Sequence, residues 1–260
     1  MPDVDGFAPG TPSWVDLASP DLDASAAFYG GLFGWDCAEA AEDDSAGGYR
    51  MFMLRGRTVA GLGPAQGGAP SSWTTYVTVE DADATAAKVS EAGGTAYLEP
   101  MDVLEAGRMA VFADSGGAAF AIWQPGNHPG AQIVNEPGAL TWNELASRDP
   151  AASKGFYGAV FGWESDTSQT EGGPEYAMWR IAATDSPIGG MLTMTDAMYP
   201  PDVPEHWLAY FQVADCAAAT DQAKALGADT VVEDMEIGMG RFSVLHDPQG
   251  ATVALFEAKS

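Results

Sequence analysis

The chain has 260 residues, 46% of them apolar, and a formal net charge of −26 from 37 acidic against 11 basic side chains. Such a charge repels phosphate backbones and anionic lipid surfaces, which excludes nucleic acid and membrane as partners. No apolar run of about 18 residues is present to span a bilayer, and the acidic opening Met1-Pro2-Asp3-Val4-Asp5 is unlike a secretory leader, so cytoplasmic residence is expected.

Residues 1–12 carry Gly and Pro without periodicity and read as an N-terminal arm. Alternation then begins at Trp14-Val15-Asp16-Leu17-Ala18-Ser19, a strand, and Asp21 caps a helix that presents Ala24, Phe28 and Leu32 and stops at Gly34. Short strands follow near Tyr49 to Leu54 and Thr58 to Leu62. The pattern restarts with a strand at Thr74 to Val79, a cap at Asp81, a helix ended by Gly93-Gly94, and strands near residues 95–98, 109–113 and 118–123. Turn chemistry without apolar period marks a linker over 125–138. Residues 139–260 then repeat both units, giving β-α-β-β-β four times: an α+β chain with domains over 13–124 and 139–260.

The repetition is explicit. Trp14, Asp21, Phe28-Tyr29 and Phe33-Gly34-Trp35 recur as Trp142, Asp149, Phe156-Tyr157 and Phe161-Gly162-Trp163, each 128 residues later. Gly107-Arg108, Asp114 and Gly117-Ala118 recur as Gly240-Arg241, Asp247 and Gly250-Ala251. The cysteines, Cys37 and Cys216, fall at unmatched points and are expected as free thiols. A curved sheet covered by helices on its convex side leaves a cup on the other, so each half is expected to offer one concavity for a small molecule.

Strand, Asp, Ser-x-x-Phe-Tyr or its variant, Phe-Gly-Trp, Gly-Arg and Asp-x-x-Gly, in this order and duplicated, resemble the vicinal-oxygen-chelate superfamily of glyoxalase I, extradiol dioxygenases and bleomycin-resistance proteins. The tandem layout further resembles actinobacterial glyoxalase-like proteins variously labelled hydroxylases, the 27 kDa antigen and kinase-inhibitor homologues. The resemblance implies two cup-shaped glyoxalase-like domains. It also implies metal-ligand positions at Trp14, Thr74 and Ala121 in one half and Trp142, Leu208 and Ala254 in the other. None of these side chains is a usual donor, so no metal cofactor is expected. His206 with Glu144 is the one improvised alternative, against a solvent-facing strand end; His246 reads as a hydrogen-bonded turn residue.

The candidate ligand-binding residues are therefore Trp14, Asp16, Met51 and Tyr76, with Trp142, Glu144, Met178 and Tyr210 as their repeats. A carboxylate beside an indole on the concave side, at matched positions, offers an acceptor on an aromatic wall, or a general base if an enzyme. The competing reading is a structural carboxylate tied to Arg108, Arg241 or backbone amides. Phe28, Tyr29 and Phe33 are assigned to packing. The function expected is metal-independent binding of a small apolar, aromatic molecule. The alternatives are a lyase, isomerase or hydroxylase-type enzyme with Asp16 or Glu144 as base, and a regulatory module with a protein partner; oligomeric state is not legible.

Overall fold

The computed structural model describes residues 4–38, 47–169, 174–184 and 186–259. The first half contains β1 (Pro12–Ser19), α1 (Leu22–Phe33), β2 (Asp36–Cys37), β3 (Arg50–Leu54), β4 (Arg57–Pro64), β5 (Ser72–Thr78), α2 (Ala82–Glu91), β6 (Thr95–Val103), β7 (Gly107–Ala113) and β8 (Ala119–Pro125). The second contains β9 (Leu140–Ser147), α3 (Pro150–Phe161), β10 (Glu164–Gln169), β11 (Glu175–Arg180), β12 (Gly189–Thr193), β13 (His206–Gln212), α4 (Cys216–Ala225), β14 (Asp229–Ile237), β15 (Gly240–His246) and β16 (Thr252–Ala258).

Each half is one eight-stranded mixed sheet. The orders are β2-β3-β4-β1-β5-β8-β7-β6 and β10-β11-β12-β9-β13-β16-β15-β14. The two β-α-β-β-β units of a half meet through an antiparallel central pair, β1 with β5 and β9 with β13. Each α-helix among the described residues begins at an aspartate whose side chain accepts a backbone N–H three residues on: Asp21 from Ala24, Asp81 from Ala84, Asp149 from Ala152 and Asp215 from Ala218. Helices α1 and α3 end at Gly34 and Gly162, at φ near +70°, where a side chain would be strained.

The interior does not respect the halves. One large cluster joins Leu17, Tyr29 and Phe52 of the first half to Phe211, Leu245 and Leu255 of the second. The other joins Val77, Phe112 and Phe120 to Tyr157, Trp179 and Met191. The convex, helix-bearing faces are therefore packed against each other, a burial between the halves that strand and helix periodicity does not reveal. Matched polar contacts stitch the seam. Tyr29 donates to Asp247 at 3.0 Å and Tyr157 to Asp114 at 2.8 Å. The Trp35 indole donates to the Gly138 carbonyl at 2.7 Å, and Trp163 donates to that of Gly10 at 2.8 Å. The repeated Phe-Gly-Trp and Asp-x-x-Gly motifs thus join the halves as well as pack them. Cys37 and Cys216 are unpaired thiols, and no described helix is long and apolar enough to cross a membrane.

Candidate ligand-binding site

With the convex faces buried, the concave faces turn outward, and strand register fixes what each presents. Met51, Gly61, Asp16 and Thr74 lie side by side across β3, β4, β1 and β5. Met178, Gly190, Glu144 and Leu208 do the same across β11, β12, β9 and β13. One pleat along, Trp14 opposes Tyr76 beside Ala121, and Trp142 opposes Tyr210 beside Ala254. All eight sequence-predicted residues therefore lie on the two concave faces, four to a face.

Side-chain chemistry orders them further. An indole N–H can only donate, a carboxylate only accept, and a phenol can do both. In the first cup Trp14 donates to the Tyr49 hydroxyl at 3.2 Å, and Tyr49 in turn donates to Asp16 at 3.3 Å. Tyr76 donates to the same carboxylate oxygen at 2.7 Å. The second cup repeats this with Trp142 donating to Tyr176 at 2.9 Å and Tyr210 to Glu144 at 2.9 Å, while the Tyr176 phenol also hydrogen-bonds Glu144. Tyr49 and Tyr176 were missed from sequence. Each sits two residues before a flagged methionine, hence on the same strand face, and that spacing was the signal.

The phenols occupy space that a side chain at position 61 or 190 would fill. A Cβ on Gly61 would overlap the Tyr49 hydroxyl, and one on Gly190 the Tyr176 hydroxyl. Glycine there lets a tyrosine reach across the sheet to the carboxylate.

Burial beneath these rings dominates the acidity. The Asp16 carboxyl is pushed up to about 6 although its hydrogen bonds from Tyr76, Tyr49 and Thr74 pull the other way. Asp16 as a residue keeps some exposure to the cup while its carboxyl is enclosed; Glu144 is buried, and burial raises its pKa likewise. The arginines considered as partners are elsewhere: Arg108 pairs with Asp83 and Asp102, and Arg241 with Asp234 and Glu236. Neutral phenols, not cations, hold both carboxylates.

The far walls are apolar. Leu98 and Met101 face Val111 and Met109 in the first cup, and Met235 faces Phe242 in the second. Met101 and Met235 remain 45% and 49% exposed. The cups differ in their covering. His128 sets its ring edge-on to Trp14 at 4.5 Å, and Phe7, Ala131 and Val134 pack there too. Burial, and then the Glu144 charge, pushes the Tyr199 phenol up to about 12 beside the second cup. His206 turns Nδ1 to the Pro204 carbonyl at 2.9 Å, and no hydrogen bond joins it to Glu144. His246 contacts Thr252 at 3.1 Å.

A divalent ion takes about three protein donors at a catalytic site. Asp16 and Glu144 are the carboxylates at the two cup floors, and no cluster of three His, Cys, Asp or Glu side chains occurs among the described residues. The donor set does not fit a resident metal ion.

The family model for the Glyoxalase/Bleomycin resistance protein/Dioxygenase superfamily matches residues 11–122 and 132–255. The chain is 41% identical to the anthracycline biosynthesis protein DauV of Streptomyces sp. strain C5, over 97% of this chain and 95% of that one. It is 38% identical to CFP32 of Mycobacterium bovis, a glyoxylase by name, over 99% and 98%. Among solved structures, the Mn(II)-bound glyoxalase of Novosphingobium aromaticivorans superposes with a TM-score of 0.65 at 18% identity, covering 95% of this chain and 82% of that one. The 2,3-dioxygenase LapB of Pseudomonas sp. KL28 superposes with 0.66 at 14%, covering 98% and 94%. At these identities the superpositions establish a shared fold.

Proposed function

Because the chain belongs to the Glyoxalase/Bleomycin resistance protein/Dioxygenase superfamily, we propose that it binds a planar aromatic molecule of the kind handled in anthracycline biosynthesis, in its cups and without a metal ion. The observation that carries this reading is the paired chain of tryptophan, tyrosine, carboxylate and tyrosine on the two floors. Indole and phenol faces with adaptable methionine walls suit a flat polycyclic guest. A buried carboxylate held only by neutral donors favours a guest that brings a hydroxyl or amine proton. The relationship to DauV supplies the compound class, and cytoplasmic residence is part of the same proposal.

Titration with an anthracycline and its aglycone, followed by tryptophan fluorescence, tests it. Saturable quenching at micromolar concentration is expected, weakened by Tyr76→Phe or Tyr210→Phe. Absence of any saturable aromatic binder in that range overturns the reading.

A second reading, an enzyme on the same scaffold, is favoured by one observation: a carboxyl titrating near 6 can take up a proton at neutral pH. It requires turnover that vanishes in Asp16→Asn while the fold persists.

A further inference from the structure

The two halves are matched at their cups but not at the seam inside the first unit of each half, where β1 lies beside β4 and β9 beside β12, and the mismatch leaves a space. In the first half the linker wedges between the starts of β1 and β4. There Ala131 N–H donates to the Ser13 carbonyl at 2.9 Å, and Gln132 N–H to that of Thr58 at 2.8 Å. The Gln132 side-chain oxygen accepts from the Thr58 amide at 3.0 Å and its hydroxyl at 3.2 Å. The repeats of Ser13 and Thr58 are Thr141 and Pro187. Around them lies a cavity of about 470 Å³ walled by Phe7, Leu140, Thr141, Trp142, Pro187 and Ile188.

We propose that this cavity is a second small-molecule site, separate from both cups, for a flat molecule with a polar edge. Its volume is in the range of small-ligand pockets. None of the described residues lining it is charged, in a chain of net charge −26. Phe7, Leu140 and Ile188 offer faces for apolar contact. The Thr11 hydroxyl, at the same wall, is buried without a hydrogen-bond partner, and a guest hydroxyl reached by a turn of that side chain would supply one. Trp142 belongs both to this wall and to the floor of the second cup through its bond to Tyr176. Occupancy of the seam therefore reports to the cup through one indole.

The probe is 2-naphthol, with 6-bromo-2-naphthol for crystals. Saturable binding of 2-naphthol is expected by equilibrium dialysis, with affinity falling about tenfold or more in Thr141→Phe, which fills the cavity, and unchanged in Glu91→Gln, an exposed position on α2. Soaked crystals of the unaltered protein are expected to show an anomalous bromine peak between Phe7, Leu140 and Ile188, independent of how any variant folds. Bromine in the cups alone, binding indifferent to Thr141→Phe, or no saturable binding below about 1 mM overturns the proposal. The cup reading stands or falls separately, on the anthracycline titration and the Tyr76 and Tyr210 variants.

Discussion

The phenol of Tyr29, on the first helix, donates a 3.0 Å hydrogen bond to Asp247, 218 residues further along the chain, and receives the Trp73 indole N–H at 2.9 Å. Its repeat, Tyr157, does the same between Asp114 and Trp207. Each phenol serves a buried carboxylate and an indole at once, the indole being half-buried in Trp73 and buried in Trp207. Tyr29→Phe leaves the Trp73 indole and one oxygen of Asp247 without this partner, the other oxygen keeping the Gln249 and Ala251 amides, and the expected cost is about 1–3 kcal/mol, the usual penalty for orphaning buried polar groups. Urea denaturation of Tyr29→Phe and Tyr157→Phe measures it; a loss within error in both would show that these contacts are dispensable. Residues 1–138 expressed alone are expected to show no cooperative unfolding transition, since their largest clusters are completed by the other half.

Asp16 gives a pH dependence whose sign is fixed. Its carboxyl is raised from an ordinary carboxylate value to about 6 in the folded protein. The stability it contributes is therefore full below about 4, and is lost as pH rises through 6. The Asp16→Asn variant, which cannot ionise, is expected to gain on the natural protein by about 1–3 kcal/mol at pH 8 and by little at pH 4. Paired denaturation curves at the two pH values decide the point; an advantage that grows toward acid pH would contradict the burial described above.

Glycines separate site from scaffold. Gly61→Ala pushes on the Tyr49 hydroxyl, the far end of a side chain that can swing away. Modest destabilisation with a clear loss of aromatic binding and a changed Trp14 environment is expected. Gly240→Ala meets the Glu257 carbonyl, which is backbone in the neighbouring strand and cannot yield, and a loss of several kcal/mol is expected. Gly107, the repeat of Gly240, is similarly pressed by the Gln124 carbonyl. Thermal melts beside binding titrations distinguish the two classes, and equal behaviour would refute the distinction.

Treatment with a strong chelator is expected to leave both melting temperature and aromatic binding unchanged, because an ion needs about three donors and no cluster of three His, Cys, Asp or Glu side chains occurs among the described residues. Stoichiometric zinc, manganese or iron by elemental analysis, removed together with activity, would reverse that conclusion.

Sequence periodicity revealed much of this. Alternation placed Trp14 and Asp16 on one face, and duplication carried that placement to Trp142 and Glu144. What it could not reveal was the partner of each face. Leu17 and Leu145 read as buried, yet nothing in a two-residue period says that the burial is against the other half of the chain. Arg108 and Arg241 were reasonable partners for an inward carboxylate by charge alone. The acidic surface around them, including Asp83, Asp102 and Asp234, takes them instead. Tyr49 opens the strand expected over Tyr49 to Leu54 and shares a face with Met51, but periodicity does not reveal that the bare backbone of Gly61 lets its phenol reach Asp16.

The back-to-back packing of the two sheets points their mouths in opposite directions. A guest with two rigidly tethered heads could not close on a single molecule. It would instead string successive molecules into a linear polymer, so light scattering with such a tether would count the working mouths per chain.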